Sequence, residues 1–142
     1  MARSISTTEL KQLPVDFYQQ RRAKLRSGDL LFASGNYPVS KAIRKMTGSP
    51  WSHVGIIFWL KSINRVLLLE SVESVGVRFA PIVARIALGR GKPKRDREYI
   101  CSELVYECFA KAGKEFVYNE KGFISPEDVW RDGKVQIISR IH

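Results

Sequence analysis

Cys101 stands at the head of an amphipathic run that closes on Gly113. The residues before it, Arg97 to Ile100, read as a strand-like approach, so the thiol is expected to open a helix. A thiol there faces unpaired backbone N–H groups and the positive end of the helix dipole. Both favour the thiolate, which is the nucleophilic form. Covalent catalysis also needs a base within reach. The chain has two histidines, His53 and His142, and His142 is the last residue. His53, in Ser52-His53-Val54-Gly55-Ile56, is therefore the expected partner. Each residue has an ordinary reading as well. A lone cysteine on an apolar helix is usually a small buried hydrophobe. That reading suits Cys108, beside Phe109 and two positions from Tyr106, better than Cys101. A lone histidine before an apolar strand is often simply packed.

A third group follows from counting residues. His53 to Leu60 and Arg65 to Val72 are β-rich runs, and Lys61-Ser62-Ile63-Asn64 joins them as a hairpin loop. Leu60 then opposes Arg65, Gly55 opposes Glu70 and His53 opposes Val72. Glu70 becomes a diagonal neighbour of His53 on one face, at about 7–8 Å between backbones. A carboxylate there can orient the imidazole and stabilise its charged form. A shift of one residue would present Ser71 or Glu73 instead. A solvated glutamate at a strand end is the competing interpretation.

The elements that would carry these residues make an α+β chain. Ser6 to Leu25 reads as a helix interrupted at Pro14. Ser27-Gly28-Asp29 is a turn and Leu30 to Ala33 a short strand. Pro38 to Met46 is a helix, with proline in its first turn and Gly48 past its end. Gly76 to Ile82 adds a third strand to the meander. Residues Gly89 to Arg97 form a basic Gly/Pro-rich loop. Ser125-Pro126-Glu127-Asp128 caps a helical turn, and Val135 to Ile138 reads as the last strand. A length of 142 residues suits one domain, 1–142, with 1–26 as an N-terminal helical extension.

The formal charge of +10 suits an anionic surface or polymer as a partner. The basic residues are dispersed, and no helix-turn-helix, zinc-finger or ribonucleoprotein motif accompanies them. No apolar run reaches the roughly 20 residues of a membrane span. The first residues lack the apolar core of a signal peptide, so a cytoplasmic protein is expected, released by lysis or a separate route if at all. Cys101 and Cys108 lie two helical turns apart, too far for a disulfide. The histidines and cysteines have no metal-ligand spacing, and no metal or cofactor is expected.

Gly28-Asp29-Leu30-Leu31, Ser52-His53-Val54-Gly55-Ile56, Glu70 and Tyr99-Ile100-Cys101-Ser102-Glu103-Leu104-Val105 occur in an order that resembles the circularly permuted papain-like fold. The pattern is similar to the YiiX-like branch of the NlpC-type cysteine peptidase and amidase superfamily, which includes lecithin–retinol acyltransferase-like enzymes. In the permuted branch the histidine precedes the cysteine, as here. The resemblance runs from about Gly28 to Trp130, and Ser125-Pro126-Glu127-Asp128 resembles the family's tail segment. It implies a small antiparallel sheet, a partly closed barrel, with the nucleophile helix packed on it. It implies Cys101 as nucleophile, His53 as general base and acid, and Glu70 as orienting group. The Cys101 backbone N–H would be an oxyanion donor. Trp51 and Tyr37 are candidate substrate contacts. The chain departs from the family between Val83 and Glu98, where a short basic loop replaces the usual helical structure and Tyr-Asp element.

Three functions follow. The first is a cysteine hydrolase that cleaves a peptide, isopeptide or cell-wall peptide (peptidoglycan) amide. The second is a lipid or thioester acyl hydrolase or acyltransferase of the same fold. The third is a basic nucleic-acid or protein binding module on a retired enzyme scaffold.

Overall fold

The computed structural model describes residues 7–36, 38–72, 76–82, 101–116, 124–132, 134–137 and 139–141. Its centre is a four-stranded antiparallel sheet of β2 (Leu30–Ala33), β3 (His53–Leu60), β4 (Arg65–Val72) and β5 (Gly76–Pro81), in the order β2-β3-β4-β5. The β-branched, leucine and aromatic content of β3 and β4 suits strands covered on both faces. Alternation along these strands feeds two cores. Val54, Ile56, Leu30, Phe32 and Leu69 face one cluster, and Ile57, Leu68, Val66 and Leu31 face the other.

The β3–β4 hairpin pairs Leu60 with Arg65 and Ile56 with Leu69, the register expected from its four-residue loop. The loop is a 3-10 turn, Lys61–Ile63, that ends on Asn64 with φ of 50°. Asparagine tolerates that left-handed backbone. Arg22 reaches across to hold it, with Nη2 2.9 Å from Asn64 Oδ1. Gly55 is the point of closest approach within the pair. A Cβ there would stand 2.9 Å from both Leu68 Cδ1 and the Leu69 carbonyl oxygen.

The helices are α1 (Thr7–Gln12), α2 (Tyr18–Arg21), α3 (Pro38–Thr47), α4 (Cys101–Lys111) and α5 (Pro126–Arg131), of which α4 packs on β3 and β4. Cys101 and Val105 of α4 sit in the same cluster as Val54 and Ile56 of β3. The α4 helix ends in a Schellman motif. Gly113, at φ of 74°, donates to the Ala110 carbonyl, and Lys114 donates to that of Phe109. A capping box between Ser125 and Asp128 starts α5.

Three expectations are corrected. Residues 7–25 do not form one interrupted helix, and Ser6 lies outside the described residues. Pro14 cannot donate a hydrogen bond, and beyond α1 the chain extends as β1 (Val15–Asp16), then turns through α2 and a 3-10 turn, Arg22–Lys24. Residues 135–137 are not a strand, and Ile138 lies outside the described residues; the last described strand is β6, Arg140–Ile141, which pairs in parallel with β1. Val135 packs against the core instead. Finally, the four-stranded sheet is not closed into a barrel: β2 and β5 are its edges. Among the described residues, no helix is long and apolar enough to cross a membrane.

Candidate active site

Cys101 is the first residue of α4 and is 8% exposed. Burial pushes its thiol pKa up, because the charged form loses water. Four influences together outweigh burial and leave the thiol below its ordinary value. In order of size they are a hydrogen bond with the His53 side chain, the charge of His53, and backbone hydrogen bonds from Val54 and Ser102. The Ser102 N–H belongs to the open first turn of the helix, where donors have no helical acceptor. The Val54 N–H comes from β3. Ser102 also fixes the helix start, since its fully buried hydroxyl donates to the Ile124 carbonyl at 2.6 Å.

His53 is the first residue of β3, paired with Ala33 of β2. Its Nε2 lies 2.8 Å from Glu70 Oε2. A carboxylate only accepts, so Nε2 carries the proton and Nδ1 is left to serve the thiol. Glu70 is 0% exposed, a solvation that a lone carboxylate could not sustain. Its second oxygen receives both Nε and Nη2 of Arg78, at 3.0 and 2.9 Å. Arg78 is the register partner of Glu70 on β5. The chain of contacts therefore runs Cys101–His53–Glu70–Arg78, across one helix and three strands.

The structure thus brings together Cys101, His53 and Glu70. Trp51 is buried in an aromatic cluster, its ring centroid 5.6 Å from Phe32 and 4.8 Å from Trp130. Its indole Nε1 is buried with no partner among the described residues. Tyr37, Glu73, His142 and the basic loop from Gly89 to Arg97 lie outside the described residues. Sequence reasoning missed Arg78 and the Val54 N–H. Arg78 was within reach of it: counting the second hairpin from Val72 opposite Gly76 puts Arg78 across from Glu70. Cross-strand pairs of opposite charge are a known stabilising pattern.

No family model and no curated protein matches the chain. The fold is shared with a solved structure, the metalloprotein yiiX from Escherichia coli O157:H7. That match has a TM-score of 0.64 and 20% identity, and covers 81% of this chain and 97% of the other. At that identity the likeness speaks for the fold alone. Among the described residues here, no three His, Cys, Asp or Glu side chains are placed to hold a metal ion. The Glu70 oxygens already receive His53 and an arginine fork. This donor set does not fit a metal centre with three or four protein ligands, and the chemistry derived below is routed through none.

Proposed function

We propose that the chain is a cysteine hydrolase that cleaves an amide bond through a thioester, on a permuted papain-like fold. The observation that carries this reading is the line of contacts from a helix-opening thiol, through an imidazole, to a fully buried carboxylate.

In this reading His53 takes the Cys101 proton at Nδ1, and Sγ attacks the carbonyl carbon of the scissile amide. The oxyanion that forms lies beside the sulfur. The Cys101 N–H at the helix start and the Val54 N–H, which already serves the thiolate, are the donors at hand. The imidazolium returns its proton to the leaving nitrogen as the C–N bond breaks. Water, deprotonated by His53, then attacks the thioester; the S–C bond breaks, and a carboxylic acid and the thiol are restored. Glu70 holds the Nε2 proton and offsets the positive ring at each charged stage.

The burial of Trp51 removes an exposed apolar surface on which the lipid-acyl alternative would draw. The contacts among Cys101, His53 and Glu70 count against a retired scaffold. The test is intact-mass spectrometry of the chain with a peptide p-nitroanilide library and with acyl thioesters. An acyl mass on Cys101 from the amides, absent in Cys101→Ala, is the expected result. Adducts from thioesters alone would favour the acyl alternative. No adduct from either class would overturn the reading.

A further inference from the structure

Away from Cys101, an open pocket of about 400 Å³ collects three cations from three different elements. Lys11 comes from the end of α1, Arg44 from the last turn of α3, and Arg140 from β6. Ser34, Ser49 and Pro50 also line it. No carboxylate among the described residues lines it, and none of the three cations forms an ion pair with a described residue. Their polar contacts are neutral. Arg44 Nη1 donates to Ser34 Oγ at 3.0 Å, and Arg140 Nη1 donates to the Lys11 carbonyl at 3.1 Å. Arg44 Nε is buried with no partner among the described residues.

An arginine in the last turn of a helix has an ordinary use, since it complements the negative end of the dipole. That end amounts to about half a charge, which one cation offsets. It explains neither three cationic residues on one pocket wall nor a buried guanidinium N–H left unpaired among the described residues, an arrangement that proteins rarely keep. An oxyanion would answer both. Arginine presents a planar fork suited to carboxylate or phosphate, and the two serine hydroxyls add neutral donors. The volume falls within the range of small-ligand pockets, about 300–1,000 Å³.

The pocket wall runs through the chain to His53. Ser34 follows Ala33, the register partner of His53, which puts its Cα within about 9 Å of that of His53. Ser49 and Pro50 lead directly into Trp51-Ser52-His53. We propose that this pocket binds an oxyanion, a carboxylate or phosphate group, on the molecule that reaches Cys101. The oxyanion site stands on the cations alone, whereas its role as a substrate subsite rests on the hydrolase reading.

The test is calorimetric titration of the full chain at low salt with inorganic phosphate and, separately, with succinate. Saturable one-to-one binding of at least one is expected, weakened at least tenfold in Arg44→Gln and in Arg140→Gln. Lys11→Gln, at an exposed position, serves if either arginine variant fails to fold. Lys24→Gln removes the same charge elsewhere and should bind as the parent does. Tighter binding of phosphate assigns a phosphoryl group, and tighter binding of succinate a peptide-type carboxylate. Absence of binding by both, or equal weakening in Lys24→Gln, overturns the site. Cys101→Ala should bind the anion unchanged. Failure of the hydrolase reading therefore leaves the pocket standing, and loss of the pocket leaves Cys101 reactivity intact.

Discussion

At the residue scale the site depends on how a buried carboxylate is held. Glu70 has no exposure and is flanked by His53 and Arg78. Glu70→Gln keeps the shape but removes the charge that favours the imidazolium. A loss of about 10²–10⁴ in kcat/KM is expected, the range for acid–base machinery, with a lower melting temperature because the ion pair to Arg78 is lost. Glu73→Gln should leave the rate near that of the parent; the reverse order would place the orienting group one turn of the register away. Arg78 touches no reacting atom and acts as a positioning residue. Arg78→Gln should lower the rate about tenfold and displace the acid limb of the pH profile, with partial rescue by Arg78→Lys. It should also cost about 1–3 kcal/mol, less than the 3–5 typical of a broken buried pair, because its side chain is 38% exposed. The cysteine, histidine and glutamate were legible because hairpin parity and helix position are local rules. Arg78 was legible only through a second step of counting, which registers β5 on β4 and was not taken.

At the element scale, the sheet and the nucleophile helix are where sequence and structure agree. The Leu60–Arg65 pairing and the helix Cys101–Lys111 follow from loop length and amphipathic period, while the strand-like approach before Cys101 lies outside the described residues. The chain ends agree less well, because two-residue strands such as β1 and β6 carry no periodicity to read. Their pairing is set by contact between distant segments. Two elements must stay in register for His53 to face Glu70, and Gly55 is where β3 and β4 come closest. Gly55→Ala should force the strands apart, lower stability by about 1–3 kcal/mol as overpacking does, and slow turnover with it. Thermal unfolding beside a rate measurement checks both. Ser102→Ala leaves the buried Ile124 carbonyl without its hydroxyl donor. A loss of about 1–3 kcal/mol by chemical denaturation is expected.

At the scale of the whole molecule, β1 and β6 bring residues 15–16 beside 140–141 and so place Lys11 and Arg140 on one pocket. Arg140→Pro removes the backbone N–H that donates to the Pro14 carbonyl at 3.3 Å, together with the guanidinium. A drop in stability of about 1 kcal/mol, the order of a lost hydrogen bond, should accompany weaker phosphate binding, while Cys101 alkylation stays as in the parent. The net charge of +10 was plain from composition. Its focus on one pocket was not, because Lys11, Arg44 and Arg140 are far apart in the chain and meet only through the fold.

The most direct measurement is site-resolved alkylation of the two cysteines with iodoacetamide across pH, read by mass spectrometry. Only thiolate reacts, so a thiol held below its ordinary value keeps reacting at pH values where a free thiol is protonated. Cys108, on the same helix, is the internal control. Cys101 should react quickly well below pH of about 8.5, Cys108 should not, and His53→Ala should remove the difference. Slow reaction of both cysteines with the pH dependence of a free thiol, or a Cys101 rate untouched by His53→Ala, would contradict the account.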